Sequence, residues 1–373
     1  MIASICTRLS KLPVCSNITK ALYKALHKTL CKKISLNTDE ANKLLEGVYT
    51  KPGGTIAWQR NAKAPSQDLS VIIPFYKTEQ FAVRCIESVL TQQISFSMEV
   101  ILVDDGSPDR CGQILDSYAD RKNVVVVHQK NSGLSASRNN ALAIARGEYV
   151  LFLDSDDYLV SNSLQVLMEY ANKYDADIVE GGVFTFNDAD VRKNYVHQFE
   201  VSTKGRNMFG YACGKLIRAR LFDNVQFPVG FWYEDSIIHS LITPMANTTV
   251  CVPELIYAYY KNSSGITAQT KVSLKCIDTL TIFETILDYY MVSSTMIPSQ
   301  LMTGMMRQLG GFLYFRTKGL EKTMQIAVFA LAADMVVRYN LRPSQSADYY
   351  EKEIYLALKN RQYKRWKWAS ILV

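Results

Sequence analysis

The chain runs to 373 residues with a formal net charge of +7, 48% apolar and 21% charged residues. Such a length accommodates two modest domains or one large domain with appendages, and the composition excludes a disordered chain. Its eight cysteines form no Cys-x-x-Cys pair and no Cys/His cluster of zinc spacing, which points to free thiols in a reducing compartment. No apolar run approaches the ~20 residues that span a bilayer, and Arg8 and Lys11 interrupt any secretory core.

The charge is unevenly placed. Residues 1–36 carry seven Lys or Arg and residues 354–373 carry five, neither stretch holding an acid, so the middle is net acidic. The ends are therefore the parts suited to an anionic surface. Ile18, Leu22, Leu26, Leu30 and Ile34 recur every four residues. Lys20, Lys24, Lys28 and Lys32 recur offset by two, about 200° around a helix, so the stripes oppose each other. This predicts a basic amphipathic helix capped at Ser16 or Asn17. It either lies on an anionic membrane or packs on its own protein with a solvated lysine face. Residues 47–66, with Pro52, Gly53, Gly54 and Pro65, read as a linker.

An alternation of strands and helices follows. Leu69–Ile73 reads as a strand stopping at Pro74-Phe75-Tyr76, and 78–91 as a helix with Ala82, Cys85, Ile86, Val89 and Leu90 on one face. A second strand, Val100–Val103, ends in Asp104-Asp105-Gly106-Ser107. A helix with Ile114, Leu115 and Tyr118 leads to a third strand, Val124–Val127. Asn131-Ser132-Gly133 opens a helix from about Ser135 that closes at Gly147, and the fourth strand is Tyr149–Leu153. This is an α/β sheet with crossover connections, in which ligands sit beyond the carboxyl ends of the strands. Four polar clusters therefore converge on one crevice: Pro74–Tyr76, Asp104–Asp105, Asn131–Arg138 and Asp154–Asp157.

Each cluster suits a nucleotide. Tyr76 offers a ring to a base, Asp105 accepts from a base N–H or ribose hydroxyls, and Arg138 near a helix start offers a guanidinium to phosphate. Taken singly, the aspartates also suit turn capping and Arg138 a helix surface. Asp154, Asp156 and Asp157 crowd together off the fourth strand. Two like charges ~4 Å apart repel by about 4 kcal/mol at an effective dielectric of ~20, so ionised carboxylates here want magnesium or manganese. The other reading is an acidic turn opening the helix near Ser163.

These runs, Ser-Val-Ile-Ile-Pro-Phe-Tyr, Val-Asp-Asp-Gly-Ser, Asn-Ser-Gly-Leu-Ser-Ala-Ser-Arg-Asn and Phe-Leu-Asp-Ser-Asp-Asp, resemble glycosyltransferase family 2 in order and spacing over about residues 68–265. The resemblance implies the glycosyltransferase A fold, a Rossmann-like nucleotide-diphospho-sugar transferase sheet. It also implies a nucleotide-sugar donor, a divalent cation (Mn2+ or Mg2+) and inversion at the anomeric carbon. Asp105 then corresponds to the family's base- or ribose-binding aspartate. Asp154 and Asp156 fall on its Asp-x-Asp motif, with Asp156 the metal ligand and Asp157 the adjacent acid.

Beyond residue 175, Ile178–Phe186 reads as a strand, 187–206 as polar and irregular, and Ala212–Phe222 as a short helix. Phe231-Trp232-Tyr233-Glu234-Asp235 opens a further helix at Ser236. A sugar transfer by attack of a hydroxyl needs a carboxylate to take its proton, and the aromatics would stack on sugars; a helix N-terminus also favours Glu234 and Asp235. The resemblance makes Asp235 the base, with Glu234 beside it. Thr248–Val252 and Leu255–Tyr260 read as closing strands. Lys261 to Thr267, including Ser264, resembles the family's diphosphate-holding loop, with Lys261 where Arg is commoner. From about 270 the chain reads helical. Its end, with Lys364, Arg365, Trp366, Lys367 and Trp368, has a membrane-surface composition.

Three segments result: a basic helix and linker over 1–66, a catalytic domain over 67–268 and a helical region over 269–373. The expected partners are a nucleotide-sugar donor, a glycan or lipid-linked acceptor and an anionic membrane surface, with homo-oligomers open and nucleic acid not expected. The expected location is cytoplasmic, peripheral on the membrane's inner face. A dehydrogenase would need Gly-x-Gly-x-x-Gly after the first strand, which is missing. A nucleotidyltransferase would need a glycine-rich loop with Arg there. A non-catalytic nucleotide-sugar-binding subunit is the remaining alternative, against which Asp154, Asp156 and Asp235 count.

Overall fold

The structure is a computed structural model that describes residues 30–50, 56–61, 64–187, 190–203, 208–262, 265, 273–293, 297–345 and 347–372. The chain divides into two compact units, residues 54–265 and residues 1–53 with 266–373.

Among the described residues the short helix α1 (Thr38–Leu44) precedes the strands and helices of the central unit. β1 (Gln67–Phe75), α2 (Glu79–Leu90), β2 (Met98–Asp104), α3 (Cys111–Asp116), β3 (Val124–His128), α4 (Leu134–Ile144) and β4 (Gly147–Phe152) realise the predicted alternation. β5 (Tyr158–Leu159), α5 (Ser163–Tyr174), β6 (Ile178–Asn187), β7 (Asp190–Tyr195), β8 (Glu200–Ser202), β9 (Lys215–Arg218) and β10 (Thr249–Tyr260) complete a ten-stranded sheet. Its path is β3-β2-β1-β4-β9-β6-β10-β5, with β7 on β6 and β8 on β10. β3, β2, β1 and β4 are parallel. Val71, Ile72, Ile73 and Val100 to Val103 are fully buried, as β-branched runs in a doubly covered parallel sheet should be. The register sets Phe75 beside Asp104 and Asp104 beside His128, so the strand-end residues form one row. The chain order reverses on either side of β1, the place where such sheets bind ligands.

Three local expectations are corrected. Ala212–Phe222 is not a helix. Lys215–Arg218 is β9, antiparallel to both β4 and β6, and only Ala219–Phe222 forms a 3-10 turn. Two long strands with open edges outweigh a local helical preference. The polar stretch 187–206 contains β7 and β8, whose strand character comes from backbone pairing to neighbours rather than an apolar pattern. The two closing strands are one, β10, which passes Pro253 through register shifts against β6; a bulge tolerates a residue with no N–H.

The supposed linker is partly built into the central unit. Trp58 donates from Nε1 to the Phe222 carbonyl at 2.7 Å. The Arg60 guanidinium donates to the Leu142 and Ala145 carbonyls at the end of α4, each at 2.9 Å, meeting carbonyls that a helix C-terminus leaves open.

The other unit is helical among its described residues: α1, α6 (Asp278–Val292), α7 (Ser299–Arg307), α8 (Leu313–Thr317), α9 (Lys322–Arg338), α10 (Tyr349–Lys359) and α11 (Tyr363–Leu372). Residues 1–53 of the first predicted segment and the last segment thus belong to one unit, joined by the Ile34 N–H to the Arg361 carbonyl at 2.9 Å. The predicted basic amphipathic helix lies outside the described residues apart from its end, where Leu30 is buried. The C-terminal segment is core here. Trp366 is 1% exposed and donates to the Leu309 carbonyl at 2.7 Å, while Arg365 forms a forked pair with Glu353 at 2.8 and 3.0 Å. Arg365 and Trp366 of the tail that reads as membrane-surface are thus taken up by packing, while Lys364 stays exposed. Among the described residues, no helix is long and apolar enough to cross a membrane.

Candidate active site

Asp105 follows β2 and is buried. Its carboxylate accepts from Gln129 Nε2 (2.7 Å), Ser132 N (2.8 Å) and Gly133 N (2.9 Å), and its carbonyl accepts from Asn131 Nδ2 (3.0 Å). Asp105 and Asn131 therefore shape the loop before α4. Gly106 makes this possible: its φ is +63°, and a Cβ there would lie 2.8 Å from the Asn131 nitrogen. Asp104 accepts from Ser107 N at 2.9 Å and bonds His128 Nδ1 at 2.9 Å. His128 also bonds Asp116 at 2.9 Å, and these two carboxylates raise its pKa. Pro74 and Phe75 belong to β1 and are buried, since the strand continues opposite Val103 and Asp104. Of that cluster only Tyr76 is exposed, with Lys77 Nζ 5.1 Å from its ring centre.

Arg138 is 2% exposed and turns inward rather than along the helix surface. It donates from Nη2 to Asp154 Oδ1 at 2.8 Å and from Nη1 to Glu234 Oε1 at 2.9 Å. Phe227 and Phe152 lie against its guanidinium at 5.2 and 5.8 Å. Burial opposes its charge, but Asp154, Glu234 and Asp235 outweigh it and raise the pKa. The neighbouring Asn139 fixes the facing loop by a two-way bond to the Phe227 backbone, 2.8 Å in each direction.

The three carboxylates after β4 are not equivalent. Asp157 is 1% exposed, with Oδ2 accepting from Tyr257 OH at 2.6 Å and Oδ1 from Tyr260 N at 2.7 Å. Both oxygens are engaged inward, so it braces the loop. Asp154 has one oxygen on Arg138, and Asp156 has one on Asn262 Nδ2 at 3.0 Å; the second oxygen of each is outside these bonds. Burial and the neighbouring Asp154 raise the Asp156 pKa against the effect of Asn262. Two hard oxygen donors in crowded negative surroundings fit a divalent cation. Arg84 Nη2 holds the Asp156 carbonyl at 2.6 Å, with Phe186, Phe81, Tyr158 and Tyr260 all within 5.6 Å of the guanidinium.

Glu234 and Asp235 follow Tyr233, whose φ of +66° is an outlier for a bulky residue. Burial and Asp235 push the Glu234 pKa up to about 7, against the pull of Arg138. Lys261 is exposed and its N–H bonds the Phe186 carbonyl at 2.8 Å; Ser264 lies outside the described residues. Away from the crevice, Glu180, His197 and Cys251 place potential ligand atoms within 4.8 Å of one another. The buried Lys215 ammonium is paired with Glu180, so the charge a metal would meet is already met.

Arg84, Asn139, Tyr257, Asn262 and His128 were not singled out in the sequence. Asn139 was within reach, because it adjoins Arg138 in the same motif. Asn262 lies in the loop from Lys261 to Thr267 but its bond to Asp156 spans distant segments, and Tyr257 carries no local signal.

Comparisons with known proteins give the family and the fold. The family model described as glycosyl transferase family 2 matches residues 70–232. Two Streptococcus pneumoniae proteins are each 30% identical to the chain: glycosyltransferase GlyG over 54% of this chain and 73% of its own length, and glycosyltransferase GlyA over 51% and 30%. The chain thus spans under a third of GlyA. The Bacillus subtilis minor teichoic acid biosynthesis protein GgaB is 29% identical over 56% of this chain and 24% of its own. Among solved structures, Staphylococcus aureus TarS 1-349 in complex with UDP-GlcNAc has a TM-score of 0.60 at 20% identity, covering 81% of this chain and 90% of that one. The fold is therefore the glycosyltransferase A fold, and the chain belongs to glycosyl transferase family 2.

Proposed function

We propose that the protein is an inverting glycosyltransferase that moves a sugar from a nucleotide-diphosphate sugar to a hydroxyl of a cell-surface glycan or lipid-linked acceptor. The observation that carries this is the Arg138 fork, which ties Asp154 of the Asp-x-Asp motif to Glu234 of the Glu-Asp pair. Donor-side and acceptor-side carboxylates thereby share one centre. Asp235, next to the Glu234 carboxylate that Arg138 anchors, takes the proton from the acceptor hydroxyl as its oxygen attacks the anomeric carbon. The bond to the nucleoside diphosphate breaks on the opposite face. Asp156 and Asp154 would hold a divalent cation, which when bound stabilises charge on the departing diphosphate. Tyr76 stands at the strand ends where a base would lie.

The likeness to GgaB and to a Bacillus spizizenii poly(ribitol-phosphate) beta-glucosyltransferase, 36% identical over 34% of this chain, directs acceptor tests to phosphate-rich wall polymers. The UDP-GlcNAc complex of TarS makes UDP-sugars the first donors to try. A screen of UDP-, GDP- and dTDP-sugars with and without manganese tests the reading. Cation-dependent release of one nucleotide, with product of inverted configuration by NMR, supports it. Nucleotide-sugar binding with no turnover on any acceptor favours the non-catalytic alternative.

A further inference from the structure

The helical unit carries exposed aromatics beside basic side chains. Phe312 and Phe315, one turn apart, are 51% and 45% exposed. The Arg316 guanidinium lies 5.8 Å from the Phe312 ring and Lys318 Nζ 5.0 Å from the Phe315 ring. Tyr314, whose ring is 5.4 Å from that of Phe315, has Lys367 Nζ 5.8 Å away. Lys364 is one turn before Lys367 on α11 and is exposed, as is Lys318. The ion pairs described in this unit engage Lys275, Arg307, Arg338 and Arg365, not these three lysines.

Charge segregates with the units. Residues 1–53 and 266–373 hold 23 Lys or Arg against 11 Asp or Glu, whereas residues 54–265 hold 19 against 24. Two half-exposed phenylalanines offer on the order of 200 Å² of apolar surface. That is well short of the ~800 Å² per partner of a stable protein interface. Shallow rings ringed by lysines with apolar stems suit a headgroup layer, where rings enter the acyl boundary and ammonium groups reach phosphates.

We infer that the face formed by Phe312, Phe315, Arg316, Lys318, Lys364 and Lys367 docks the protein on an anionic lipid bilayer. The contact is a folded face rather than the C-terminal segment, whose Arg365 and Trp366 are buried. Binding is reversible and salt-sensitive, since each cation near such a surface contributes separately.

Co-sedimentation of the full chain tests this, with vesicles of phosphatidylglycerol plus phosphatidylcholine and of phosphatidylcholine alone, at low and high salt. Wild type should bind only the anionic vesicles and leave them at high salt. Phe312→Ser with Phe315→Ser, and separately Lys318→Gln with Lys364→Gln and Lys367→Gln, should each lower partitioning about tenfold or more, with unchanged circular dichroism. If the phenylalanine variant misfolds, the lysine variant decides alone. No binding by wild type at low salt overturns the inference. So does wild-type binding by the lysine variant, which would locate the contact elsewhere. A wild-type dimer that these substitutions dissociate would assign the face to a second copy and also overturn it.

Discussion

Asp154 and Glu234 are held to the two terminal nitrogens of one guanidinium, Arg138, at 2.8 and 2.9 Å. The first ends the parallel half of the sheet and the second follows a strained turn after Gly230 and Tyr233, both at positive φ. With Arg138 only 2% exposed, the placement of these two carboxylates is set by a buried fork rather than by either alone. Arg138→Met should lose about 3 kcal/mol of stability, the low end for a broken buried pair, because Asp154 keeps some solvent. Arg138→Lys keeps the charge and loses the fork. It should fold, yet transfer on the order of 10²-fold more slowly, as misplaced reacting groups do. Urea unfolding and single-turnover rates measure the two effects; a lysine variant at wild-type rate would show that the fork is dispensable.

Glu234 gives a pH signature. Its pKa is pushed up to about 7 in the folded protein, against about 4.3 for an unperturbed glutamate. Between those values the folded state binds more protons than the unfolded state, so stability falls as pH rises through that window and levels off above it. Burial raises Asp156 and Asp157 in the same direction, so the comparison must be with Glu234→Gln. That variant should lose part of the slope of unfolding free energy against pH between about 4.3 and 7. Parallel slopes in the two proteins would place the Glu234 titration elsewhere.

The two carboxylates with an oxygen outside their side-chain bonds define a cation test. Asp156→Asn should abolish the manganese dependence of UDP-sugar binding in calorimetry, while Asp157→Asn should chiefly destabilise the loop by disturbing Tyr257 and the Tyr260 backbone. Unchanged donor binding by wild type in excess chelator would contradict the metal assignment.

Gly106 tests the donor loop without touching a charged group. Gly106→Ala places a Cβ 2.8 Å from the Asn131 nitrogen at a φ of +63°. It should cost about 1–3 kcal/mol and weaken nucleotide binding, because Asp105 can no longer hold Ser132 and Gly133 in place. An alanine variant with wild-type stability and affinity would mean that the loop relaxes freely.

The parallel half of the fold was legible because each of its runs is locally consistent. Val124–Val127 has no helical reading, and Ala82, Cys85, Ile86 and Val89 have no strand reading. β9 was not legible: Lys215 looks like a surface residue, yet it is fully buried and paired with Glu180, a partner that only the sheet brings near. β7 escaped for the opposite reason, since Asp190 to Tyr195 has strand pairing without strand composition. At the site, aspartates clustered at strand ends announced themselves. Their division of labour did not, because Asp157 and Asp156 are adjacent in sequence and differ only in what Tyr257, Tyr260 and Asn262 do to them. The pairing of Arg138 was not legible, because the Glu234 carboxylate it meets comes from beyond β9.

The most direct test of the proposed chemistry is Asp235→Asn, assayed for sugar transfer and for donor binding on the same preparation. Loss of a positioned base costs ~10²–10⁴-fold in rate, so the variant should transfer sugar slower by that factor while binding its UDP-sugar as wild type does. Wild-type transfer by Asp235→Asn, with the loss appearing instead in Glu234→Gln, would contradict the assignment of the base.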